Sequence, residues 1–139
     1  MYKNTIMENK RSHLEMIQGV VNRLFQNSFL LKGWSVILIS ALLALSAHNK
    51  NHAFVMLAYL PLIIFWFLDA YFLCQERLFR ALYDKVRLME ESKIDFCMDI
   101  SVITKESCKY RKVFFSKTPV AFHGTLFAAI VIVMLVKIS

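Results

Sequence analysis

Residues 60–87 read LPLIIFWFLDAYFLCQERLFRALYDKVR, and one change of character inside this stretch decides the fold. Up to Cys74 it is apolar apart from Pro61 and Asp69, whereas from Gln75 onward charged residues are interspersed with Leu78, Leu82 and Val86 at helical spacing. No Gly or Pro follows Pro61 in it, so the pattern predicts one helix that leaves an apolar solvent and enters water without a break. The apolar part reaches back to Ala53, and residues 53–74 suffice to cross a hydrocarbon core of about 30 Å at about 1.5 Å rise per residue.

Working upstream, the polar turn His48-Asn49-Lys50-Asn51-His52 follows a second apolar stretch, residues 28–47, whose only charge is Lys32. So short a connection predicts an antiparallel membrane hairpin. Before it, Leu14, Ile17, Val21, Leu24 and Ser28 recur at helical spacing, which predicts an amphipathic helix over 9–27 running into the first span. Its stripe is expected to pack on that of Leu78, Leu82, Val86 and Met89. Downstream, residues 94–102 alternate apolar and polar and read as a strand or an extended segment. Residues 120–136, after Pro119, give a third span near the lower length limit. Ser35, Ser40, Ala41, Ala44 and Ser46 make span one the candidate to line a pore, leaving the Phe- and Leu-rich span two to face lipid. The expected fold is all-α: a helical integral membrane protein with three transmembrane helices, an amphipathic N-terminal helix and a cytoplasmic helical extension within 75–118.

Composition agrees. The 139 residues are enough for one domain, 58% are hydrophobic, and Gly and Pro number only 3 and 2, which excludes disorder and an ordinary soluble protein. The first fifteen residues hold Lys3, Glu8, Lys10, Arg11 and Glu15 and no apolar run, so no cleaved signal peptide is expected. The 17 Lys and Arg are distributed unevenly. Five (Lys3, Lys10, Arg11, Arg23, Lys32) lie before the interior of span one, Lys50 lies in the turn, ten run from Arg77 to Lys117, and Lys137 follows span three. By the positive-inside rule the N-terminus and 75–118 face the cytoplasm, and the turn and C-terminus face outward.

No phosphate-binding loop, dinucleotide fingerprint, nucleophile elbow, paired carboxylates or metal-ligand spacing occurs, so the expectation is a protein that is not an enzyme and needs no cofactor or metal. Cys74, Cys97 and Cys108 lack short pairing and are read as reduced cytoplasmic thiols. Asp69 is the most informative residue, because an ionisable group within a span is costly and marks a partner or a path. Counting from the inner ends of their spans, Lys32, Asp69 and His123 share one depth, about 6 Å from the inner edge. An ion pair of Lys32 and Asp69 joined by His123 is expected. It either locks the register of the hairpin or lines and gates an inner pore mouth. Lys105, Lys109, Arg111, Lys112 and Lys117, with Tyr110 among them, form the densest basic patch. They serve either topology and anionic lipid, or the seating of a phosphate-bearing ligand with a base stacked on the aromatic ring. In a symmetric assembly the patch would repeat around one axis.

The stretches MIQGVVNRLFQNSFLLKGWSVILISALLAL (16–45), LPLIIFWFLDAYFLCQERLFRALYDKVR (60–87) and VFFSKTPVAFHG (113–124) together resemble small bacterial membrane proteins encoded beside defence genes, most of all the membrane effectors of the Hailong anti-phage system. The segments Leu31-Lys32-Gly33-Trp34-Ser35 and Leu68-Asp69-Ala70-Tyr71, the latter with Gln75-Glu76-Arg77-Leu78-Phe79-Arg80, carry the resemblance most specifically. It implies a homotetrameric ion channel held closed by single-stranded oligodeoxyadenylate from a partner nucleotidyltransferase, and opened when a phage nuclease destroys that DNA. No ligand-contacting residue transfers by this likeness. Two further readings stand beside this abortive-infection channel: a non-channel anchor docking a cytoplasmic defence enzyme through 75–118, and a membrane enzyme using His123 or Asp69.

Overall fold

The computed structural model describes residues 2–48, 53–103 and 108–138. Four helices follow in order: α1 (Tyr2–His48), α2 (Ala53–Leu88), the short α3 (Tyr110–Phe114) and α4 (Lys117–Ile138). Among the described residues there is no strand. Three helices, α1, α2 and α4, are long and apolar enough to cross a membrane.

The amphipathic segment and the first span are one uninterrupted helix, as the absence of a breaker predicts, although it begins before residue 9. At 47 residues α1 is about 70 Å long, more than twice the thickness of a hydrocarbon core. Its buried positions His13, Ile17, Val21, Ser28, Ser35, Ile39 and Ser46 recur near the 3.6-residue period of a helix, so one face of α1 is buried along its length. The opposing seam on α2 runs from Val55, Ala58 and Leu62 through Asp69 and Ala70 to Leu82 and Val86. Pro119 sits in the first turn of α4, where no helical N–H is needed, and so starts the helix rather than breaking it.

Two apolar clusters hold the helices. Ile39, Val55, Ala58, Leu62 and Ile130 join α1, α2 and α4 at the end near the turn. Ile17, Leu82, Val86 and Ile103 join α1, α2 and the irregular segment at the other end. The expected packing of the two amphipathic stripes is therefore present. Lys10 adds a polar lock, its ammonium donating to the carbonyls of Arg87 at 3.1 Å and Met89 at 2.8 Å, where the end of α2 leaves carbonyls without helical partners.

The alternation of residues 94–102 does not make a strand. The chain turns through 3-10 segments at Glu91–Lys93 and Ile100–Val102, the second capped by Asp99, which accepts from the Ser101 amide. No neighbouring strand offers a ladder, so extended backbone lies on the bundle instead. The inward alternation breaks at Phe96, whose φ of 54° is rare for a residue with a Cβ. That φ brings its ring edge-on to the buried His13, with centroids 5.6 Å apart.

Of the small residues of α1, Ser35 and Ser46 are fully buried within the chain, whereas Ser40, Ala41 and Ala44 are exposed. The Ser35 hydroxyl donates to the Leu31 carbonyl at 2.8 Å. Packed against α1, α3 and α4, α2 is the central helix of the chain. The outer surface is nonetheless apolar, with Phe29, Trp34, Ile63, Phe67, Ile132 and Val136 all exposed, as suits contact with hydrocarbon.

Truncating Ile17 to Ala should lower stability by about 2–4 kcal/mol, as expected for a cavity in a packed seam. Thermal unfolding in detergent should show a large fall for this variant, and almost none for Met16→Ala on the exposed face.

Candidate functional site

Between the two apolar clusters lies a layer of polar side chains from three helices. Lys32 and Ser28 are one helical turn apart on α1 and so share a face. The Lys32 ammonium donates to Asp69 Oδ1 at 2.5 Å and to Ser28 Oγ at 2.8 Å. The Ser28 hydroxyl in turn donates to the same Asp69 oxygen. His123 of α4 approaches the other carboxylate oxygen, with Nε2 at 3.3 Å from Asp69 Oδ2. Asp69 and His123 are fully buried, whereas the Lys32 side chain keeps 17% of its exposure. Lys32, Asp69 and His123 thus meet as their shared depth predicts.

An ionised carboxylate only accepts hydrogen bonds, so His123 Nε2 must carry the proton that faces Asp69. Among the described residues nothing donates to the buried His123 Nδ1. The imidazole is instead held by its faces: the Trp66 ring stacks on it with centroids 5.6 Å apart and planes 11° apart.

Trp66 extends this layer toward the basic segment. Its other stacking partner is Phe114 of α3, at 4.8 Å and 7°, and its indole Nε1 donates to the Phe114 carbonyl at 3.2 Å. The Tyr110 hydroxyl donates to the Phe67 carbonyl at 2.7 Å, and Phe67 lies against Phe114. Two adjacent residues of α2 therefore hold α3 in place. Lys109, Arg111, Lys112 and Lys117 are exposed along and beside α3, and Tyr110 is 37% exposed. Partial burial raises the Tyr110 phenol above its usual value. Lys105 lies outside the described residues.

Ser28 and Trp66 were not foreseen as members of the site. The signal was there: Ser28 precedes Lys32 by four positions and Trp66 precedes Asp69 by three, so each shares a face with a residue already singled out. The expectation of three free cysteines is also corrected. Cys74, on α2, is bonded to Cys108, just before α3, with Cα atoms 5.7 Å apart, and only Cys97 is a free thiol. Their separation of 34 residues hid the pairing, because nothing local shows that the segment after α2 folds back alongside it.

Either Asp69→Asn or Lys32→Met alone should cost about 3–5 kcal/mol, since each strands the other charge in a low-dielectric site. The double variant should lose less than the sum of the two by about 1–3 kcal/mol. Thermal unfolding of all four proteins in one detergent measures this coupling, and strictly additive losses would show that the two side chains do not act as a pair.

No known family, characterised protein or solved structure matches this chain, so the reading of the site rests on its geometry and on the sequence.

Proposed function

We propose that the chain is one subunit of an oligomeric channel in the bacterial inner membrane, an anti-phage effector whose opening depolarises the cell. In this reading the N-terminus and the basic segment face the cytoplasm, where a single-stranded oligonucleotide, oligodeoxyadenylate by resemblance, controls the pore. A nucleotidyltransferase is the expected source of that signal, and a tetramer the expected assembly.

One observation carries the proposal. The exposed cations Lys109, Arg111 and Lys112 sit on a helix that is stacked, through Phe114 and Trp66, onto the His123 that contacts Asp69. An anionic ligand held at the surface would thereby bias the arrangement of the charge layer in the membrane. A ligand shifts an equilibrium only through its different affinity for the two states, and this stack gives that difference a route. Support for assembly comes from small residues turned outward: Ser40, Ala41 and Ala44 on α1 and Ala121, Thr125 and Ala128 on α4. A Cβ added at Gly33 or Gly124 would meet nothing within 4 Å in this chain, so close approach by another helix is sterically open there.

A second reading is favoured by the complete burial of Asp69. A carboxylate sealed among Ser28, Lys32 and His123 is also what a purely structural latch requires, and the chain would then anchor a cytoplasmic defence enzyme through 75–118. Particle symmetry in detergent and ion flux from proteoliposomes separate the two. A closed ring whose flux responds to oligodeoxyadenylate is expected, and a monomer without flux sinks the channel. Under the channel reading Asp69→Asn alters flux in protein that still assembles.

Replacing Lys109, Arg111 or Lys112 by Ala should weaken oligonucleotide binding for all base sequences alike. Each loss should reduce the slope of log K against log salt by about 0.7, the contribution of one phosphate contact on a single strand. Fluorescence anisotropy across a salt series measures both quantities.

A further inference from the structure

We propose that Cys74 and Cys108 form a reversible redox site, read by a low-molecular-weight thiol–disulfide couple such as glutathione, and that its state decides how firmly the basic helix α3 is held. Cys74 lies on α2, and Cys108 stands two residues before α3, so the bond ties that short helix directly to the central helix of the fold. Cys74 is 8% exposed, whereas Cys108 is only partly buried and lines an open cavity of about 320 Å³ with Leu78, Asp99, Ile100, Ser101 and Ile103. A small thiol therefore has a way in, and it reaches Cys108 rather than Cys74.

The inference rests on one part of the proposed function, the cytoplasmic placement of residues 75–118. Disulfides do not persist as inert braces in that compartment, where the thiol pool sets their state. Reduction proceeds in two balanced steps. A glutathione thiolate attacks Cys108 Sγ, the sulfur–sulfur bond breaks, and Cys74 leaves as a thiolate that takes up a proton. A second glutathione thiolate attacks the mixed disulfide, releasing glutathione disulfide and freeing Cys108 as a thiol. Two electrons pass from two glutathiones to the protein, and oxidation by glutathione disulfide is the reverse.

A five-residue helix has no stability of its own. With the bond closed, α3 is pinned by Cys108 at its start and by the Phe114–Trp66 stack at its end. With the bond open, the covalent tie at its start is lost, and α3 is held by the ring contacts of Phe114 with Trp66 and Phe67, the buried Val113 and the Tyr110 and Trp66 hydrogen bonds. Reduction thus loosens the element that displays Lys109, Arg111 and Lys112 and leaves the α1–α2 seam intact.

The test equilibrates the full-length protein in nanodiscs against a series of reduced-to-oxidised glutathione ratios, then quenches with acid and alkylates with a mass-tagged maleimide. Cys74 and Cys108 should titrate together as one two-electron couple, while Cys97 is alkylated throughout and Cys97→Ala changes nothing. Trypsin should cut after Lys109, Arg111 and Lys112 about tenfold faster in the reduced protein, as expected for a local opening. Cysteines alkylated across the whole series, or cleavage indifferent to redox state, would overturn the proposal. Labelling intact cells with a membrane-impermeant maleimide tests the orientation separately. Protection of Cys97 supports the cytoplasmic couple, and labelling from outside removes the compartment on which the switch depends, whatever the titration shows.

Discussion

A carboxylate fully buried among apolar helices imposes the constraint around which this chain is organised. Such surroundings offer Asp69 no water, and the ionised group is tolerable only with a counter-charge and enough donors to fill its lone pairs. Those donors come from α1 and α4 as well as from a neighbouring hydroxyl: Lys32 and Ser28 on one oxygen, His123 on the other. Because the partners lie on two other helices, meeting this requirement fixes the axial register of all three spans at once. Apolar contacts alone would tolerate sliding, since one leucine layer resembles the next.

The charge layer also joins two mechanically different parts. On either side of it are packed clusters, one built on Leu62 and Ile130 and the other on Ile17 and Leu82. Outside both lies α3, which is too short to persist alone and depends on its attachments to Trp66, Phe67 and Cys74. The rigid seam and the weakly held basic helix share a boundary at the His123–Trp66–Phe114 stack.

Much of this was legible in the amino-acid order because the forces concerned are local. Apolar length announced three helices able to cross a membrane, the lack of a breaker announced that α1 and α2 each run on as one helix beyond their apolar part, and rise per residue placed Lys32, Asp69 and His123 at one level. The alternation at 94–102 misled in part, since period-two patterning reports a half-buried extended chain and not whether another strand is there to pair with it.

What the sequence by itself determined was the solvent each segment prefers and the level along the helices at which Lys32, Asp69 and His123 lie, because both follow from composition and helical rise. Only the tertiary structure decided who meets whom: Ser28 with Asp69 across 41 residues, Trp66 with Phe114 across 48, and Cys74 with Cys108 across 34. Those meetings depend on how the helices rotate about their axes and on how the segment after α2 folds back. Both are set by the simultaneous packing of several elements, to which no single stretch of sequence is sensitive.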